Sequence, residues 1–461
     1  MTGPCCGVRG SHLPDLWVLG PGEVISVVGA GGKSTLLELL ARQYEQEGGR
    51  VILATTTRMW PPQPGADARP LVTATDLPGL LAQLRDSPER SPVVGRSVLP
   101  NGKLEDVPVE WVPALRDLGW VTAVIVEADG AAGRPLKAPA AWEPVVPECT
   151  TLMVVMSGLD SQGARLDEDS VHRPKIVGRL LGLSQGAILP DDAPLRAALM
   201  GYRPVCPPHG RMLVLLNKAD AFPVSAGLAR ASESTNVEVW AGSAGAASPS
   251  FSCLCPGPAI LSVAVLAAGA ATRMGGSKVL AQVGAETMLE RVVGVARGAA
   301  GANGVVVVVR GQDEPQARGL LARWMDAGDP PVVRVEVNPH PEKGMASSLA
   351  LAAGNVACGD LLVMLADQPF AGPATVARLL RAREGSPRAA AVALAAGVDW
   401  GPPVLIGRSL VPRLVSLEGD KGARDLLRRF LGRVVLVEAQ DVEAMDVDTP
   451  DDLESARHRT V

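Results

Sequence analysis

The sequence predicts two α/β domains in tandem, each a three-layer fold, on three observations. Apolar runs at 24–28 and 260–266 each feed a glycine-bearing turn and then a helical stretch, so the chain opens the same programme twice. Strand-like and helical stretches alternate through both halves, the order that builds a mostly parallel sheet covered by helices. Aromatic residues make up 3% of the chain and hydrophobic residues 47%, so the core must come from Val, Leu, Ala and Ile, as in strands buried on both faces.

At 461 residues the chain is too long for one ordinary core. Its 20% of charged residues fits a globular protein. A net charge of −5 gives no global basic field for a polynucleotide or an anionic membrane, and the scarcity of aromatics argues against a base-stacking platform. The seven cysteines are odd in number and scattered, which is no disulfide framework. Cys5-Cys6 and Cys253-x-Cys255 could hold a soft metal or selenium species. A closed metal site normally needs four ligands, so surface or linker thiols are the favoured reading. Neither a signal-like N-terminus nor an apolar run of membrane-spanning length is present, and the expectation is a cytoplasmic protein.

In the first half, strands are expected at 51–54, 122–126, 152–155 and 212–216, with helices at 36–46 and 77–85. In the second, strands are expected at 304–310, 332–337, 361–365, 389–394 and 433–438. Helices there should occupy 288–296, 347–353, 374–382 and 423–430. A Gly, Ser, Ala and Pro-rich stretch at 241–258 reads as a flexible linker. The expected division is therefore a domain at 1–240, a linker at 241–258 and a second domain at 259–461. Ligands in such folds bind beyond the C-terminal strand ends.

In the second half Leu266-Ala267-Ala268-Gly269 leads into Arg273-Met274-Gly275-Gly276-Ser277-Lys278. Glycines after a strand let backbone amides approach a phosphate, and Arg273 and Lys278 add positive charge around a triphosphate. With Asn338-Pro339, Lys343–Leu349, Leu365-Ala366-Asp367-Gln368-Pro369-Phe370, Gly419–Arg424 and Asp446–Leu453, this half resembles the MobA-like NTP transferases, and more closely their molybdenum cofactor cytidylyltransferase branch, MocA. The resemblance spans essentially all of 260–453. It implies a Rossmann-like nucleotidyltransferase domain that uses CTP, with Mg2+ on Asp367 and Asp448 and a molybdopterin-type cofactor as acceptor. Asp367 could instead simply end a strand. Asp448-Thr449-Pro450 could be a helix cap, with either Asp448 or Thr449 capping. Gly401-Pro402-Pro403 stands where close relatives often have Gly-His-Pro, which leaves the acceptor open.

In the first half Gly29-Ala30-Gly31-Gly32-Lys33-Ser34-Thr35 follows a strand and opens a helix, the context of a P-loop. Backbone amides would cradle phosphates, Lys33 would reach the terminal ones and Ser34 would ligate Mg2+. The first glycine of the usual pattern falls at Val27, so the loop is short. Glu127 and Asp129 end an apolar strand, as metal-binding acids would. Asn217-Lys218-Ala219-Asp220 resembles the guanine-reading element of GTPases, in which Asp220 would meet the base and Asn217 would brace the loop. The competing reading is a strand followed by a polar helix cap. With Thr55–Met59, Glu127–Lys137, Glu143–Pro147 and His172-Arg173-Pro174, this half resembles the YqeC family over about 22–220. That resemblance implies a P-loop-type NTP-binding domain, for ATP or GTP, accessory to selenium-dependent molybdenum hydroxylases. A hydroxylase apo-enzyme is then a candidate partner. His172 is read as functional rather than merely capping.

The joint expectation is a cofactor-maturation protein that cytidylylates a molybdopterin-type cofactor. Two alternatives stand beside it: transfer to a sugar phosphate or another phosphorylated small molecule, and a non-catalytic cofactor chaperone with regulatory nucleotide sites.

Overall fold

The computed structural model describes residues 9–17, 19–62, 68–85, 90–208, 210–235, 237–256, 261–269, 278–299, 302–325, 331–355, 359–386, 389–415, 417, 422–440 and 442–459. Arg273 and Gly275, both expected to bind the nucleotide, lie outside the described residues. The chain divides into two compact units, Met1–Pro258 and Ala259–Val461.

In the first unit the strands are β1 (Arg9–Gly10), β2 (Glu23–Gly29), β3 (Val51–Thr55), β4 (Leu71–Thr73), β5 (Val93–Gly95), β6 (Ala123–Glu127), β7 (Leu136–Lys137), β8 (Leu152–Gly158), β9 (Val171–His172), β10 (Arg211–Asn217), β11 (Glu238–Gly242) and β12 (Phe251–Pro256). Ten of them form one sheet in the order β1-β12-β11-β10-β8-β2-β6-β3-β5-β4, and β7 pairs with β9 apart from it. The centre of the large sheet is parallel. Its strands are buried on both faces, which is why they read as unbroken apolar runs rather than alternating ones. Along β2, Ile25 and Val27 join the core on one face, while Val24 and Val28 join the core on the other. Each fully buried Val, Leu or Ile contributes on the order of 1.5–3 kcal/mol.

The stretch at 241–258 was expected to be a linker, but the structure places much of it in the sheet. Trp240, Ala241 and Gly242 close β11, and β12 returns antiparallel beside it and pairs with β1 on its far side. Among the described residues of this stretch, only the turn at 243–250 has the form the composition suggested. The side chains of Phe251, Cys253 and Cys255 are buried, and that apolar alternation outweighs the Ser and Pro around it. Cys253 and Cys255 are thus buried thiols of the core, outside any disulfide, not surface or linker thiols.

The second unit has β13 (Leu261–Leu266), β14 (Gln282–Val283), β15 (Glu286–Thr287), β16 (Ala302–Arg310), β17 (Val333–Asn338), β18 (Asp360–Leu365), β19 (Ala391–Ala396), β20 (Asp399–Ile406) and β21 (Val434–Glu438). Seven form a sheet in the order β17-β16-β13-β18-β20-β19-β21. All neighbours are parallel except β20, which runs antiparallel to both β18 and β19. Sequence reading found no strand at β20, because its first half carries Gly401-Pro402-Pro403 and breaks the apolar run. Val263 and Val265 face one helical layer, and Ala264 and Leu266 face the other.

Candidate functional site

In the second unit the sequence-predicted acids and lysine meet beyond the ends of β13 and β18. Leu266 accepts from the amide of Ala366 at 3.0 Å, so the turn after β18 lies beside the turn after β13. Ala267 and Ala268 are buried, and Gly269 is exposed. Among the described residues, a Cβ on Gly269 would meet nothing within 4 Å. Lys278 Nζ lies 2.6 Å from Asp367 Oδ2 and 2.5 Å from Asp448 Oδ1. One ammonium thus holds two carboxylates from turns 81 residues apart in sequence (448 − 367). The Val447 amide donates to the Asp367 carbonyl at 3.0 Å and ties the same turns through the backbone. Val447 is fully buried in a small cluster with Met288, Leu453 and Ala456, which fixes its neighbour Asp448.

The cap reading of the Asp448 segment is realised, on Thr449 rather than Asp448. Thr449 caps the helix Pro450–His458 in a capping box with Asp452, which leaves the Asp448 carboxylate to face Lys278. Burial works against the Lys278 charge, yet its hydrogen bonds and charge pairing with Asp367 and Asp448 outweigh that and hold its pKa above the ordinary value. Behind the pair, Gln368 Nε2 donates to Asp446 Oδ1 at 3.0 Å. Burial, with the charges of Asp367 and Asp448, pushes the Asp446 carboxyl up. Asp367 Oδ1 is buried and has no hydrogen-bond partner among the described residues. A buried, unsatisfied carboxylate oxygen beside a second carboxylate is a donor set that fits a divalent cation. Nearby, Asn338 donates to the hydroxyls of Ser347 and Ser348 at 2.8 and 2.9 Å and accepts from the His340 amide at 2.8 Å, so it holds the 340–348 turn at the end of β17.

In the first unit the glycine loop joins β2 to the helix Lys33–Gln46. Gly29, Gly31 and Gly32 all have positive φ, at 90°, 86° and 119°. At Gly31 an added Cβ would lie 2.5 Å from the Gly158 nitrogen, so only glycine fits. Lys33 Nζ donates to the Gly29 carbonyl at 2.8 Å and lies 3.3 Å from Asp129 Oδ1 and 3.9 Å from Glu127 Oε1. The hydroxyl-bearing Ser34 and Thr35 are exposed in the first turn. Burial, with Asp129 adding to it, pushes the Glu127 carboxyl up against the opposing pull of Lys33 and Ser34. Its Oε2 has no hydrogen-bond partner among the described residues.

Asp129, expected as a metal ligand beside Glu127, has both oxygens already engaged. They accept from the Gly29 amide at 3.1 Å, and Oδ2 also accepts from Tyr202 Oη at 2.7 Å and lies 3.1 Å from Lys137 Nζ. A ligand role would require breaking several of these contacts. Burial and the Asp129 charge push the Tyr202 phenol well up. Lys137 continues to Glu143 at 2.7 Å, and Glu143 pairs with Arg173. His172 stands opposite Lys137 in the β7–β9 pair, with its pKa lowered by burial and by the charges of Lys137 and Arg173. Tyr202 lay outside every sequence pattern. The only signal for it was that the chain has just 2 tyrosines.

Asn217 at the end of β10 is buried. It donates to the Gly31 carbonyl and accepts from the Ala244 amide at 2.9 Å. Lys218, at φ 71°, pairs with Asp160. Asp220 is exposed, and its Oδ1 accepts from the Ser243 hydroxyl at 2.8 Å. Asp160 and Ser243 were not found from the sequence, because Asp160 sits in a one-turn helix, Leu159–Ser161, and Ser243 in a loop, neither with a motif of its own.

Residues 25–175 match the family model described as YqeC protein, and residues 263–434 match the model of the MobA-like NTP transferase domain. The chain joins a YqeC segment to a MobA-like nucleotidyltransferase domain. The YqeC protein of Escherichia coli (strain K12) is 34% identical over 166 residues, 36% of this chain. This chain spans 63% of that relative's length. Among solved structures, Rv0371c from Mycobacterium tuberculosis H37Rv is 28% identical, over 43% of this chain and 97% of that one, with a TM-score of 0.37. A nucleotidyl transferase from Methanothermobacter is 23% identical, over 44% of this chain and 98% of that one, with a TM-score of 0.38. Among the described residues, no helix is long and apolar enough to cross a membrane.

Proposed function

We propose that the MobA-like domain transfers CMP from CTP to the phosphate of a molybdopterin-type cofactor, releasing pyrophosphate. The observation that supports this best is the Asp367–Lys278–Asp448 cluster, set beyond the ends of β13 and β18 and next to the Gly269 turn. An acceptor phosphate oxygen attacks the α-phosphorus. The bond from that phosphorus to its bridging oxygen breaks, and the electron pair leaves with pyrophosphate. Both reactants are anions, so the chain must supply charge. Arg273 and Lys278 serve the β- and γ-phosphates, where charge develops on the leaving group. Mg2+ held by Asp367 and Asp448 would supply polarisation of the α-phosphate when bound. No general base is needed, because the attacking phosphate is already ionised. The choice of CTP rests on the Leu266-Ala267-Ala268-Gly269 form and the Asp367-Gln368-Pro369-Phe370 turn.

The YqeC segment, in this reading, is a P-loop-type NTP-binding module for ATP or GTP. Gly29–Thr35 holds the phosphates and Lys33 reaches the terminal ones. Ser34 and Glu127 face the metal, Asp129 positions Lys33, and Asp220 faces the base. Its work is maturation of a selenium-dependent molybdenum hydroxylase, whose apo-enzyme is the partner, and the setting is cytoplasmic. Joining both activities in one chain raises the effective concentration of a shared cofactor intermediate.

The full chain incubated with labelled CTP, Mg2+ and molybdenum cofactor should release pyrophosphate and label the cofactor. Absence of pyrophosphate with all four NTPs overturns the transferase reading. Release with a sugar phosphate but not with the cofactor replaces the acceptor. Binding without turnover points to a chaperone.

A further inference from the structure

The reaction just described needs Lys278 on the triphosphate and a divalent cation between Asp367 and Asp448. The structure puts Lys278 where that cation would stand. Its ammonium touches both carboxylates at 2.6 and 2.5 Å, and the side chain is 9% exposed. Half of the charge of the two carboxylates is therefore already balanced by the ammonium. Two like charges cannot share so small a space, so a metal entering between the carboxylates must expel the ammonium. A triphosphate gives the expelled ammonium somewhere to go, since its oxygens can take over the pairing that the acids release.

Resting on the transferase reading of this site, we propose that Lys278 is a placeholder for the metal. It pairs with Asp367 and Asp448 in the nucleotide-free chain, it excludes the cation, and it yields the position only when a nucleoside triphosphate takes up its charge. Metal and nucleotide thus enter cooperatively, each raising the affinity of the other by the same factor. Free Mg2+ or Mn2+ does not load the site ahead of the nucleotide, and the carboxylate pair repels an incoming triphosphate less, because Lys278 neutralises part of its charge.

The prediction is tested on the full chain with Mn2+ as the probe, counting free Mn2+ by electron paramagnetic resonance without nucleotide. Lys278→Gln and Lys278→Met should each gain a Mn2+ site about tenfold or more tighter than any the wild type shows at that cluster, within the roughly 5–150-fold range of such couplings. Adding Asp367→Asn to either variant should remove the gained site, which separates it from any metal held by the first unit. Unchanged or weaker Mn2+ binding in folded Lys278 variants overturns the proposal. A second measurement needs no variant. Trace acetylation of Lys278 in the nucleotide-free wild type, read by mass spectrometry, should stay at its metal-free level as Mn2+ is raised, because the ammonium keeps its place between the two acids. Labelling that climbs with Mn2+ in the absence of nucleotide also overturns it. If pyrophosphate release fails while these metal measurements succeed, the transferase reading falls and the placeholder stands as a property of the site.

Discussion

Asn217 donates from Nδ2 to the carbonyl of Gly31 at 2.8 Å, and so fastens the end of one strand to the glycine loop that follows another. The same side chain accepts from the Ala244 amide at 2.9 Å. Asn217→Ala leaves that carbonyl and that amide without their partner in a buried setting, at a cost of about 1–3 kcal/mol. Urea denaturation of the full chain should show the loss. Nucleotide titration should show weaker binding at the first unit. Wild-type stability in the variant would mean that the brace is dispensable.

Glycines in the two loops should respond differently to alanine. At Gly31, φ is 86° and a Cβ would stand 2.5 Å from the Gly158 nitrogen, so Gly31→Ala should cost about 1–3 kcal/mol and disable the loop. Among the described residues nothing lies within 4 Å of a Cβ added at Gly269, and Gly269→Ala should leave stability within about 0.5 kcal/mol. Any loss of transfer in Gly269→Ala then reports on nucleotide approach alone. Thermal melts of both variants, alongside pyrophosphate release, separate the two cases.

Asp367→Asn removes one of the two charges that Lys278 bridges. Pyrophosphate release should fall about 10²–10³-fold, the scale seen when one preorganised electrostatic group is lost. Thr449→Ala acts on Asp448 at one remove: loss of the cap should cost about 0.5–2 kcal/mol of stability and give a smaller drop in rate. A rate drop as large in Thr449→Ala as in Asp367→Asn would contradict these assignments.

Acid sensitivity of the first unit should trace partly to Glu45. Burial raises its pKa, but hydrogen bonds from Arg69 and Ser91 and the Arg69 charge outweigh it and take the carboxyl from 4.5 down to about 2. A depressed folded-state pKa means the contribution is fully present above about 4.5 and is lost as pH falls through about 2. Glu45→Gln should be less stable than wild type at neutral pH, with a gap that narrows across that acid window. A constant gap in pH-dependent melts would assign the effect to packing.

Much of this was legible because buried parallel strands leave continuous apolar runs. The strands at β3, β6, β8 and β10 fell within a few residues of their expected places, as did β16 through β19. The residues that escaped are those whose role exists only in three dimensions. Tyr202 reaches Asp129 from a helix 73 residues away (202 − 129), and no local pattern encodes that meeting. Strand β20 hid behind Gly401-Pro402-Pro403, whose composition mimics a turn. At Asp448 the sequence offered a cap or a ligand, and could not reveal that Thr449 fills the first role so that Asp448 is left facing Lys278.

Strand β12 carries a practical consequence for anyone cutting this chain. It lies between β11 and β1, so a fragment ending at Trp240 would lose an interior strand and present the raw edge of β11 to other molecules. Such a fragment should self-associate through that edge and sediment as aggregates, whereas one ending at Pro256 keeps its edge covered. The stretch that looks most like a hinge in composition is thus the wrong place to put the scissors.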